Sequence, residues 1–385
     1  MTNRRALFAC ACLGMLTFGI VLTTLGAVLP GIVERFGIDK TQAGSLFLLM
    51  TFGILAGTLV FGPMVDRYGF KGMLLFGTVL IAIGLEGIAF APSMGALRIA
   101  IAIIGFGGGI INGGTNALVA DISTEGKHAS LNLLGVFFGI GAVGVPFALA
   151  MTSDQFSSAS LIGGVGCLVA IPFLYIAITP FPAPKHAQGF PIAAAGGLLR
   201  EPLLLLMGIM LFLESGMEIA VGGWTSTFVN EELAVGPQKA LIILSLYWLG
   251  MMIGRMTLGT VLRNVRPVSL MFGCIAIGLT GTMLLLFTHN VAAAVLGVFM
   301  LGVGFAAAFP TVLGFVGERY AALSGTAFSL VIAIALLGGM FLPWLMGVVA
   351  DRYGMRGSFV IVPVALVILA VLLSILSRRM RASTT

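Results

Sequence analysis

Glu214 and Glu218 stand four residues apart inside one long apolar run of this sequence. At that spacing two side chains share a helix face. A charged side chain at the centre of a membrane helix costs about 2.5–3.5 kcal/mol even on the lenient insertion scale, so acids placed there are candidates for function. Like charge and burial both disfavour two ionised carboxylates side by side. At least one is therefore expected to carry a proton at neutral pH. Such a pair can bind and release a proton or hold a sodium ion. In the structural alternative each acid is protonated and hydrogen-bonded to a neighbouring helix.

Asn112 and Asn116 repeat the four-residue spacing on another apolar run. Their amides offer donors and acceptors together, which suits a ligand dense in hydroxyls or a bond to a second helix. Trp224 lies six residues beyond Glu218, where an indole either stacks on a sugar ring or anchors the helix at the membrane interface. Glu218, Asn112, Asn116 and Trp224 are thus the candidate substrate contacts. Glu86 and Arg98 each lie six residues from Pro92, so antiparallel helices would bring them level, and a structural salt bridge is expected. Arg255 sits well inside a run but toward one end of it, a place for a gating residue. No basic residue falls at the centre of the first, fourth, seventh or tenth run, which favours a neutral or cationic solute. The glycines at 105 and 107–109 have no lysine behind them, so a phosphate-binding loop is not expected.

These residues need a membrane around them. The 385-residue chain is 59% hydrophobic and only 9% charged, with a mean hydropathy of +1.13. A soluble domain carries roughly 25% charged residues, so a secreted or cytosolic globular enzyme is excluded. The 54 glycines fit helices that approach closely where lipid supplies no hydrophobic drive. Cys10, Cys12, Cys167 and Cys274 all fall in apolar runs and read as small buried hydrophobes, with no disulfide and no metal. His128, His186 and His289 fall at helix ends or in loops. No cofactor is expected.

Twelve apolar segments can be counted, each close to the roughly 20 residues that span a bilayer. The proline-bearing stretch TPFPAPKHAQGFP divides them six and six. The expected layout is an N-terminal bundle over 1–178, a cytoplasmic linker over 179–202 and a C-terminal bundle over 203–385. Of the 20 basic residues, Arg35, Lys40, Arg98, Lys239, Arg352 and Arg356 fall on one side, leaving fourteen on the other. The positive-inside rule then places both termini in the cytoplasm. It also accounts for the net charge of +6 without nucleic acid.

Two stretches nearly repeat each other: GPMVDRYGFKG at 62–72 and GVVADRYGMRG at 347–357. The first falls on the expected cytoplasmic side and the second on the opposite side, as inverted-topology units would arrange them. Copies on opposite faces cannot serve one gate. For the second copy, a short turn that happens to use the same residue types is an equal reading.

At Gly62, Asp66, Arg67, Gly69 and Lys71 the sequence resembles the signature loop of the major facilitator superfamily, and the six-plus-six layout agrees over the whole chain. The resemblance implies that Asp66 and Arg67 help set the conformational equilibrium. The loop after the eighth segment, which begins GRMTLG at Gly254 and Arg255, resembles a degraded copy without the aspartate. The segment 107–146, EIAVGGW at 218–224, YWLGMMIGR at 247–255, GVGFAAAFPTV at 302–312 and GGMFLPWLMGVVAD at 338–351 resemble the fucose–proton symporter branch and its sodium-glucose relatives. That branch implies an acid facing the central cavity at Glu218. Its helix 4 carries an acid where this chain has Asn112, and its helix 1 another where this chain offers only Thr17, Thr23 and Thr24.

The expected protein is an all-α integral membrane protein of twelve transmembrane helices in two six-helix bundles. Its expected work is secondary active transport of a small neutral polar solute, a monosaccharide or polyol, across the cytoplasmic (inner) membrane. Coupling to protons or sodium would run through Glu218 and Glu214, in a monomer. The alternative is proton-driven efflux of cationic or lipophilic compounds.

Overall fold

The computed structural model describes residues 4–122, 127–152, 155–182, 200–260, 265–320 and 324–382. The first half holds α1 (Arg4–Phe36), α2 (Lys40–Phe90), α3 (Met94–Ile122), α4 (Lys127–Thr152), α5 (Ser158–Leu168) and α6 (Ala170–Ile178). The second holds α7 (Pro202–Leu233), α8 (Pro237–Thr260), α9 (Pro267–Phe287), α10 (Val291–Phe305), α11 (Ala308–Arg319), α12 (Ser324–Ser358) and α13 (Ile361–Ala382). Among the described residues there is no strand.

Among the described residues twelve helices are long and apolar enough to cross a membrane. α2 carries two of them, Lys40–Phe61 and Tyr68–Phe90, while α5 with α6 and α10 with α11 form one each. Helices suit this sequence because a bilayer offers no partner to an unpaired backbone N–H or C=O. Buried hydroxyls follow the same rule. Thr17, Thr24, Thr78, Thr225 and Thr282 each donate to the carbonyl four residues back in their own helix.

Glycine brings the helices together. A Cβ at Gly281 would sit 2.6 Å from the Gly297 carbonyl oxygen, and one at Gly297 would sit 2.7 Å from that of Gly281, so α9 and α10 meet backbone to backbone. Gly338 of α12 lies against the Phe212 carbonyl of α7 in the same way. These contacts replace the hydrophobic drive that lipid does not supply.

The near-repeats share a backbone feature as well as residues. α2 is interrupted at Gly69 (φ 75°, ψ 166°) and α12 at Gly354 (φ 75°, ψ 169°). Only glycine takes up that region without strain. Within the first copy, the side-chain positions at Gly62, Asp66 and Arg67 lie outside the described residues, and Lys71 is half-buried just past the break. The linker expected over 179–202 falls mostly at 183–199, also outside the described residues.

The chain divides into two compact units: Met1–Asp39, Ser45–Gly189 and Gly236–Ser245 form one, and Lys40–Gly44, Phe190–Val235 and Leu246–Thr385 the other. This division departs from the sequence halves at two helix starts. The first turn of α2 groups with the second unit, and the first turns of α8 group with the first. Gln238 at the start of α8 donates to the Ala150 carbonyl at 2.9 Å, inside the first unit. Hydropathy cannot show such an exchange, because the exchanged turns belong to the same apolar runs as the rest of their helices.

Candidate transport site

A buried acidic pair of the second unit lies on α7, whose most apolar stretch is 72% buried, the largest share of the twelve spans. Its acids are therefore held in protein rather than lipid. Glu214 is fully buried, and among the described residues neither of its carboxyl oxygens has a hydrogen-bond partner. Glu218, one turn on, is 8% exposed. Its Oε2 lies 3.2 Å from Nη2 of Arg255 on α8. Glu214 feels both the Glu218 carboxylate and the Arg255 guanidinium.

Tyr247, eight residues before Arg255 on α8, completes the group. It is fully buried, and its hydroxyl donates to the Glu218 backbone carbonyl at 3.0 Å. Eight helical residues rise about 12 Å, a span that two long side chains close by leaning toward the same residue. α8 thus touches Glu218 at both its backbone and its side chain. Of the two acids Glu218 pairs with the guanidinium, and with both ionised the three side chains carry one uncompensated negative charge. Burial of such a charge is unfavourable unless a proton or cation joins it.

In the first unit, Asn112 and Asn116 of α3 bond to each other. The Asn116 Nδ2 donates to the Asn112 carbonyl at 2.9 Å and to its Oδ1 at 3.1 Å. Thr115 donates to the same carbonyl at 3.3 Å and lies 3.7 Å from Sδ of Met15. Both amides stay half-buried.

Two expectations need correction. Trp224 is fully buried and its Nε1 donates to the Pro343 carbonyl at 2.9 Å; rather than an exposed interfacial anchor or an open stacking face, it is a buried link from α7 to α12. Glu86 and Arg98 form no ion pair. Glu86 lies over Gly163 and Gly166 of α5, with Oε1 3.8 Å from the Cys167 sulfur, while Arg98 is exposed. The two residues are not level: Gly84 meets Ile104 and Gly87 meets Ala100, which puts Glu86 about a turn away from Arg98, and on α3 the buried face is Leu97, Ile101 and Ile104. Arg255, expected at a gate, is brought to Glu218. Tyr247 carries no signal of its own in the sequence beyond its place in YWLGMMIGR.

A family model described as Major Facilitator Superfamily matches residues 10–331. The chain belongs to the Major Facilitator Superfamily. Among its relatives in that superfamily, the mouse Sodium-dependent glucose transporter 1A is 22% identical over 376 residues, 88% of each chain. The Escherichia coli 3-(3-hydroxy-phenyl)propionate transporter is 25% identical over 262 residues, 66% of this chain. The chain spans 56% and 63% of the length of two curated relatives, this E. coli protein being the second. A crystal structure of a point variant of the nucleoside transporter NupG superposes with a TM-score of 0.80 at 18% identity, covering 97% of this chain and 99% of that one. This major facilitator chain is thus a multi-pass membrane protein with a transporter fold, related to carriers rather than to enzymes.

Proposed function

We propose that this major facilitator chain is a secondary active transporter of a small neutral polar solute, a monosaccharide or polyol, coupled to a proton or sodium ion. The observation that carries the reading is Glu214, a fully buried carboxyl with no hydrogen-bond partner among the described residues, one turn from the Glu218–Arg255 pair. A group so placed changes its favoured charge state when its surroundings open or close, which is what ion coupling requires. The half-buried amides of Asn112 and Asn116 suit hydroxyl-rich ligands, and the likeness to the mouse glucose transporter supports the sugar class. The Asp66–Lys71 loop would bias the equilibrium between two access states. The protein would lie in the cytoplasmic membrane as a monomer with both termini inside.

Counterflow in proteoliposomes tests this whichever ion is coupled, because exchange needs no ion gradient. Vesicles are loaded with unlabelled hexoses, deoxyhexoses and polyols, and labelled sugar is offered outside. Accumulation above protein-free vesicles supports the substrate class; none with any sugar removes it. Glu218→Gln then tests coupling: gradient-driven uptake should vanish while exchange persists. Unchanged driven uptake would end the coupling role.

The negative charge that Glu214, Glu218 and Arg255 together carry when both acids are ionised favours one other reading, proton-driven export of a cationic or lipophilic compound. Resistance to cationic dyes on expression, with no sugar counterflow, would select it.

A further inference from the structure

Asp351, in the second of the two near-repeats, closes the start of α2. Its Oδ1 accepts from the Lys40 backbone N–H at 2.9 Å, and its Oδ2 accepts from the Thr41 N–H at 2.7 Å and from the Thr41 hydroxyl. The first backbone N–H groups of a helix have no partner within it. A carboxylate there makes charge-assisted bonds and meets the positive end of the helix dipole. Lys40 Nζ also lies 2.6 Å from Glu231 Oε2 at the end of α7. The backbones themselves meet: a Cβ at Gly44 would sit 3.0 Å from Cα of Trp344, and Gly347 lies against the Lys40 carbonyl. All these contacts lie within the second unit, which holds Lys40–Gly44 although α2 continues from Ser45 as part of the first.

We propose that Asp351 is a releasable clamp on the first turn of α2, and that Lys40–Gly44 leaves the second unit during the transport cycle. Three features point to release rather than permanent fixation. The clamp is polar and exposed, with side chains of Lys40 and Glu231 that are 24% and 40% exposed. It holds a single turn of a helix whose remainder is grouped elsewhere. It is also built beside a glycine break at Gly354, which shapes the α12 end that carries Asp351. The second near-repeat is therefore a conformational element in its own right, acting on α2. The inference rests on the carrier reading, since a clamp matters only if the two access states interconvert.

Ala43, fully buried in that turn, reports release. The test uses the full chain in detergent micelles, with Cys167, the exposed cysteine, replaced by alanine and Ala43→Cys introduced. The rate of maleimide labelling is then compared with and without Asp351→Asn. Losing a charge-assisted bond shifts a two-state balance by roughly tenfold. Labelling should accelerate by about that factor, and by less in Thr41→Val, which leaves the carboxylate and both backbone donors in place. Equal labelling in a monodisperse Asp351→Asn protein overturns the clamp. If that variant aggregates, Thr41→Val decides, and an unchanged rate there overturns it instead. Labelling needs no substrate, so its outcome is independent of sugar counterflow.

Discussion

Nη2 of Arg255 and Oε2 of Glu218 are 3.2 Å apart, joining α8 to the most buried helix of the second unit. The pair gives Glu218 a fixed countercharge and leaves Glu214 without one of its own.

Arg255→Ala should therefore destabilise the protein by more than a surface change would. Losing a hydrogen bond to a charged group costs on the order of 1.5–3 kcal/mol, and here two acids would be left together. Adding Glu218→Gln to Arg255→Ala should restore part of the loss, because it removes one of the stranded charges. Thermal unfolding of the three variants in detergent measures this. Additive losses in the double variant would mean that the pair is not coupled.

Glu214→Gln keeps the shape of the side chain and removes its ability to ionise. Among the described residues neither Glu214 oxygen has a hydrogen-bond partner to lose, and the change relieves its repulsion by Glu218, so thermal stability should hold or rise. Gradient-driven uptake should fall to the level of exchange alone. A variant that keeps full driven uptake would leave Glu214 a structural acid and shift the coupling role to Glu218 by itself.

Trp224→Phe separates packing from ligand binding. The phenyl ring retains most of the apolar contact but loses the bond from Nε1 to the Pro343 carbonyl, a loss of about 1 kcal/mol. Stability should drop by that amount while the concentration of sugar giving half-maximal counterflow stays put. A clear shift in that concentration with unchanged stability would return Trp224 to the binding site.

What the sequence shows here, and what it hides, follows from the membrane. Twelve spans are legible because bilayer thickness demands long apolar runs. Glu214 and Glu218 are legible because their relation lies within one helix. Arg255 and Tyr247 meet Glu218 across two helices, and no spacing within α8 announces which face meets α7. Trp224 defeats a reading by hydropathy because lipid-facing and protein-facing surfaces are both apolar, so an anchor and a buried strut look alike. Glu86 and Arg98 are equally far from Pro92 in sequence, but the packing of Gly84 on Ile104 and Gly87 on Ala100 sets a register that counting from the turn does not give. Asp351 caps a helix that begins 311 residues earlier, a relation only the folded chain contains.

Gly69→Ala and Gly354→Ala test whether the two near-repeats are equal in backbone and unequal in work. Both glycines hold φ 75° with ψ within 3° of each other, so a Cβ should cost each about 1–3 kcal/mol. The strain at Gly69 falls on the loop that resembles the family signature. At Gly354 it falls three residues beyond Asp351 and moves the carboxylate that caps α2. Thermal unfolding should thus show similar losses for both variants. Labelling at Ala43→Cys should accelerate with Gly354→Ala more than with Gly69→Ala. Equal acceleration would mean that the first turn of α2 responds to lost stability in general and not to Asp351.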